Sequence, residues 1–254
     1  MMDFTLKIYK EYLLALKFQE ICFLRFEEYI PMKTKPGSFC LIRHDVDRFP
    51  GRALKMAKLE NSIGVRSTYY FRKKPWVFKP AIIKEILNLG HEVGYHYENL
   101  SDAGGNLELG MNEFKKNLKE FRELAPCKTI SMHGRPLNKF DNRLLWNLDN
   151  HKFLLEELGV LGEIYLDIDY SEMAYISDTG RNWNSKTANK RDQVDSNVTC
   201  DFKNSKELLS YFKNGFKKKI CFQVHPERWV DNLFLWCVQY STDFSANSLK
   251  SLLH

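Results

Sequence analysis

The chain has 254 residues and a formal charge of +6, with a pI near 8.9, so it is long enough for one barrel or one large α/β domain. An apolar fraction of 44% beside 28% charged residues excludes a disordered chain. Apart from Lys217-Lys218-Lys219 the basic residues are scattered. That argues against a nucleic-acid stripe, and the excess suits plain solubility or an anionic sugar, nucleotide-sugar or lipid-linked ligand. Cysteines 22, 40, 127, 200, 221 and 237 form no CxxC pair, which argues against a thiol zinc site or a disulfide framework and for a reducing compartment. Asp3, Lys7, Lys10 and Glu11 interrupt any apolar leader, and no apolar run is long enough to span a bilayer. The expected location is cytoplasmic.

Residues 3–30 read as one helix, unbroken or broken once, with Phe4, Ile8, Tyr12, Ala15 and Phe18 at helical spacing and Leu6, Leu13, Leu16 and Ile21 widening the face. After the turn at 33–37, strands and helices alternate. Strands are expected at 39–45, 65–71, 91–96, 129–133, 163–167, 173–177 and 220–224. Helices are expected near 51–61, 78–89, 107–124, 141–148, 151–158 and 204–216, with mixed helical segments at the end. Leu109, Phe114, Leu118 and Phe121 make one stripe on the helix 107–124. Repeated βα units predict an α/β fold with a parallel sheet and outer helices. The number of units fits an irregular barrel, and the absence of GxGxxG after the first strand argues against a dinucleotide fold.

The first strand ends in two carboxylates. At a side-chain period of two, Asp45 and Asp47 share a face, and their repulsion needs a metal ion or a shared proton. The alternative is a helix N-cap with a surface ion pair, since Pro50 and a helical stretch follow. Three further strands also end in ionisable groups. Tyr95, His96 and Glu98 close the third and His133 the fourth, while His225-Pro226-Glu227-Arg228-Trp229 follows the last. His44 stands beside the carboxylates on the first. In a parallel barrel the C-terminal strand ends gather at one face, where the active site lies. Four such endings favour a metal-assisted site built on oxygen and nitrogen ligands.

Here the chain resembles the NodB-like polysaccharide deacetylases, carbohydrate esterase family four. The resemblance rests on His44-Asp45-Val46-Asp47, Ser67 to Phe71, Gly90 to His96, Gly134-Arg135-Pro136 and Val224-His225-Pro226, in that order over residues 39–226. It implies a deformed (β/α) barrel of about seven parallel strands, here with an extra N-terminal helix. The chain is then one deacetylase domain, with residues 1–36 as a helical extension, 37–230 as the barrel and 231–254 as a C-terminal helical segment. It also implies a metal-dependent hydrolase that removes an N- or O-acetyl group from a sugar, and the expected cytoplasmic location makes a precursor in surface polysaccharide biosynthesis the expected substrate. The implied roles are Asp45 as base, His225 as the acid for the leaving amine, and Asp47 and His96 as metal ligands. The metal would be zinc, with cobalt, nickel or manganese as alternatives. A backbone N–H near Tyr97 or Arg135 would help to hold the oxyanion.

The family's second metal-binding histidine falls at Leu100. His133 is the first candidate to replace it, because it ends a neighbouring strand. Glu98 is next, and His91 falls on the opposite strand face, in a structural role. Arg43, Arg135 and Arg228 are read as substrate contacts or as orienting groups for Asp45 and His225. Trp183, in the loop from Asp178, is read as a sugar contact, with burial under a plain connection as the alternative. Asp167 and Asp169 read as a loop ion pair. Two rivals remain: a catalytically silent barrel that binds carbohydrate or acts as a scaffold, and a metal hydrolase for another C–N or ester bond.

Overall fold

The structure is a computed structural model that describes residues 2–135, 137–146, 150–183, 191–214 and 218–252. Its sheet has eight strands: β1 (Cys22–Leu24), β2 (Phe39–Val46), β3 (Thr68–Phe71), β4 (Glu92–Tyr97), β5 (Thr129–Met132), β6 (Gly162–Glu163), β7 (Ala174–Ser177) and β8 (Lys219–Val224). Every pairing is parallel, and the order runs β6-β5-β4-β3-β2-β8-β7. These seven are the strands read from the sequence, curled into a half-barrel with helices outside. The path does not close between β6 and β7 among the described residues.

The eighth strand corrects the N-terminal reading. The first helix spans only Leu6–Phe18, capped by Thr5, whose hydroxyl accepts the Ile8 N–H at 3.3 Å. Glu20, at φ 57°, ends it. Residues 22–24 then pair with residues 39–41 of β2, below the point where β3 takes over at residue 43. A short helix, Phe26–Tyr29, follows. The buried face is Tyr9, Tyr12, Leu13, Ala15 and Leu16, whereas the expected Phe18 is exposed.

Other boundaries shift less. The expected strand 163–167 pairs only at Gly162–Glu163, because residues 164–167 turn back, with the Leu166 and Asp167 N–H groups bonded to the Glu163 carbonyl. A 3-10 turn, Asn142–Leu145, stands where a helix was expected at 141–148, and residues 147 and 148 lie outside the described set. On the helix Leu107–Arg122, Leu109 is exposed and Gly110 takes the buried position against Asn99 and Leu100. The chain ends in one helix, Leu233–Leu252. The remaining helices, Pro50–Ser62, Pro80–Asn88, His151–Glu157 and Ser205–Asn214, cover the outside.

Strand parity sorts the residues into two layers. Cys40, Ile42, Ile220, Phe222 and Val224 face outward, packed with Tyr9, Tyr12 and Leu16 of the first helix. Phe39, Leu41, Tyr70, Tyr175 and Cys221 face inward and fill the barrel floor. Gly94 belongs to this inner layer and has no room for a side chain. A Cβ there would lie 2.5 Å from the Tyr70 ring and 2.6 Å from the Thr129 carbonyl oxygen. We expect Gly94→Ala to cost about 1–3 kcal/mol, because β4 and β5 must part to admit it. Urea unfolding checks this, and an unchanged midpoint would contradict the packing argument.

Candidate metal centre and acid–base pair

Above the floor the same parity brings ionisable residues inward. Arg43 and Asp45 come from β2, and Asp47 lies just past its end. His96 comes from β4, with Glu98 following it, and His133 succeeds β5. Gln223 lies on β8 and His225 just past it. Parallel pairing puts all these ends at one rim.

Asp45 is buried and fully engaged. Arg43 donates to it from Nε and Nη2, at 2.7 Å each, and Gln223 Nε2 donates to Oδ2 at 2.9 Å. Burial alone would raise its pKa; the Arg43 guanidinium, with His96 and His225, outweighs burial and holds it at about 2. Arg43 is itself wholly buried, its guanidinium 4.6 Å from the centre of the Tyr165 ring. It has no face for a substrate, so the expected substrate contact is corrected to orientation of Asp45.

Asp47, His96 and His133 form a trio whose ligand atoms lie within 4.8 Å of one another. Asp47 Oδ1 is 3.6 Å from His96 Nε2 and 3.4 Å from His133 Nε2. It is buried and has no hydrogen-bond partner. The other nitrogen of each imidazole is occupied: His96 Nδ1 donates to the Ser131 carbonyl at 3.0 Å, and His133 Nδ1 donates to Glu98 Oε2 at 3.1 Å. With these bonds made, both Nε2 atoms point at the same Asp47 oxygen, where a divalent cation would fit between the three. Glu98 therefore supports His133 from behind. It is clamped by Arg72 at 2.9 Å twice, with Lys74 at 3.3 Å and Arg135 Nε at 3.5 Å. Leu100 is buried in the outer core against the helix Leu107–Arg122, away from the trio.

His225 stands opposite, its Nε2 4.0 Å from Asp45 Oδ2. Its Nδ1 donates to Asp178 Oδ1 at 2.6 Å. Asp178 also accepts from Arg228 Nη1 at 3.0 Å, the Trp229 indole at 2.7 Å and the His225 backbone at 2.9 Å. Burial and Arg228 push the His225 pKa down; Asp178, with Asp45, outweighs them and raises it. Asp178 follows β7 as His225 follows β8, and that position was the one sequence signal for its role.

Several expected site residues lie elsewhere. His44 faces outward and bonds Glu60 at 2.6 Å, with Ser67 and Tyr69 on the other Glu60 oxygen. Tyr95 also faces outward, stacked on Phe114. His91 lies in the wall, its Nε2 donating to the Ala57 carbonyl at 3.1 Å. Trp183 is buried in the outer core, stacked on Phe4 and donating to Ser205 Oγ at 3.0 Å, so the expected sugar contact is corrected to packing. Arg228 is buried on Asp178, and its expected substrate contact becomes support of His225. Arg135 stays at the rim with φ 37°, bonded to Asp102 at 2.6 Å. Pro136, in the expected Arg-Pro pair, lies outside the described residues. Asp167 makes the expected ion pair, with His151 Nε2 at 2.9 Å. Among the described residues no helix is long and apolar enough to cross a membrane.

No protein-family model matches the chain, and no curated protein matches it. Among solved structures it is similar to a family 4 carbohydrate esterase from Bacillus anthracis, with a TM-score of 0.44 and 10% identity over 92% of this chain and 84% of that one. It is also similar to a family 4 carbohydrate esterase from Streptomyces lividans in complex with acetate, with a TM-score of 0.41 and 10% identity over 84% of this chain and 90% of that one.

Proposed function

We propose that the chain is a single-domain, metal-dependent hydrolase that removes an acetyl group from a sugar. The observation that carries this reading is Asp47 Oδ1, buried and within 3.6 Å of two imidazole nitrogens whose other ring nitrogens are already bonded. Asp47, His96 and His133 would hold the cation, and zinc suits one oxygen and two nitrogen donors, with cobalt, nickel or manganese as substitutes. Once bound, such a cation supplies Lewis acidity to the acetyl carbonyl and to water. Asp45, kept ionised by Arg43, takes the proton of the attacking water. His225, whose pKa Asp178 raises, gives a proton to the departing group. An amide needs that proton more strictly than an ester, since an unprotonated amine anion is the poorer leaving group, so we favour an N-acetyl sugar. Six free cysteines, three of them buried, favour a reducing compartment, where a precursor of a surface polysaccharide is the accessible substrate.

Metal content tests the reading first. Wild type purified without chelators should carry about one divalent ion per chain, as three protein ligands with an open position imply, and Asp47→Ala should lose it. A panel of acetylated sugars, nucleotide sugars and simple amides then fixes the bond cleaved. No metal in wild type, even after zinc, cobalt or nickel is added, would overturn the proposal in favour of a silent carbohydrate-binding barrel.

A further inference from the structure

Phe49 breaks three local rules at once, two residues beyond Asp47. It occupies the N-cap of the helix Pro50–Ser62 and offers no capping oxygen, whereas Thr5 and Asn106 cap their helices with side chains. Its backbone is left-handed, at φ 50° and ψ 60°, a conformation disfavoured for a bulky side chain. Its ring is 50% exposed. The fold gains little from it, because the one cation–ring contact is Arg52, 4.4 Å from the ring centre. Local rules broken together next to a reactive centre are what a functional residue leaves behind.

The surroundings of Phe49 place it on the leaving-group side. The trio lies at the ends of β2, β4 and β5, whereas His225 follows β8, which pairs with β2 on its other side. An acetyl group held at the trio, with its departing group at His225, must carry the rest of the substrate over the β2–β8 junction. That junction is closed by Glu227, two residues after His225. Arg48 reaches Glu227 Oε1 at 3.8 Å, and Arg52 donates to its backbone carbonyl and to Gln239 Oε1 at 3.2 Å. Arg52 is thus held on both sides where it meets the Phe49 ring, and half of Phe49 stays open to solvent.

Resting on the deacetylase reading, the geometry points to Phe49 as the platform on which the sugar ring of the leaving group stacks. The C–H face of a pyranose packs on the electron-rich face of an aromatic ring. Titration calorimetry of the zinc-loaded full chain with the β-1,4 trimer of N-acetylglucosamine tests this, alongside turnover of the trimer and of ethyl acetate, which has no ring. Phe49→Asn should bind the trimer about tenfold more weakly, the scale of one lost ring contact. It should melt no lower than wild type, since Asn tolerates the left-handed backbone. Phe49→Trp should restore binding, and ethyl acetate should be cleaved equally by all three. Equal trimer affinity in Phe49→Asn, or an equal loss on ethyl acetate, would overturn the platform while leaving the deacetylase intact. Trimer binding that depends on Phe49 without turnover of either probe would sink the deacetylase and support the platform. No trimer binding by wild type would overturn the platform.

Discussion

Asp45→Asn should lower kcat on an acetylated sugar by about 10³-fold, the range expected for losing a general base, while bound metal stays at the wild-type level. The second half follows from the geometry, because the donor trio is Asp47, His96 and His133 and does not include Asp45. The first half follows from the position of Asp45. Its Oδ2 lies 3.5 Å from His96 Nε2 and 4.0 Å from His225 Nε2, between the proposed metal centre and the proposed acid. The substitution also carries a structural cost. Arg43 is buried with both bonding nitrogens on this carboxylate, and a neutral partner leaves its charge poorly compensated. The variant should therefore melt below wild type yet remain folded, which circular dichroism and metal analysis well below the variant's midpoint would separate from unfolding. A folded variant with full metal and near wild-type turnover would show that Asp45 is not the base.

The strand-end residues were legible because a period of two is a local property. Once β2 is known to be buried on both faces, Asp45 and Asp47 must face inward together, and His44 must face outward. The sequence reading grouped His44 with the site because it sits at the same strand end, and the parity it had already applied to Asp45 places His44 on Glu60 instead. Arg43 and Asp45 are likewise two apart on one strand, so their pairing was open to the same argument. What local pattern could not supply was the partner brought from afar. Asp178 meets His225 across 47 residues of chain, and its own neighbours, Thr179 and Gly180, read only as a turn. Trp183 failed for a related reason, since its burial depends on Phe4 from the far end of the chain. β1 was hidden because a three-residue strand is too short to show a period against the helical spacing on either side of it.

Asp178→Asn should move the alkaline limb of the kcat/KM profile to lower pH and reduce turnover by about 10²-fold at neutral pH. The sign follows from the role of His225. As general acid it must be protonated, so activity falls as the pH rises through its pKa. Burial and Arg228 act to lower that pKa, and Asp178 is the main group that opposes them. Removing its charge lets burial prevail, and the imidazole loses its proton at lower pH. An amide also puts an NH2 group where a carboxylate oxygen accepted two bonds, so two of the four donors around Asp178 lose their acceptor. If the amide nitrogen faces His225, the imidazole must turn its lone pair inward, which places the wrong tautomer at the site. The control is the metal, which should stay bound, because neither Asp178 nor His225 belongs to the trio. A lower kcat with an unmoved alkaline limb would mean that Asp178 only packs, and that another group holds the proton on His225.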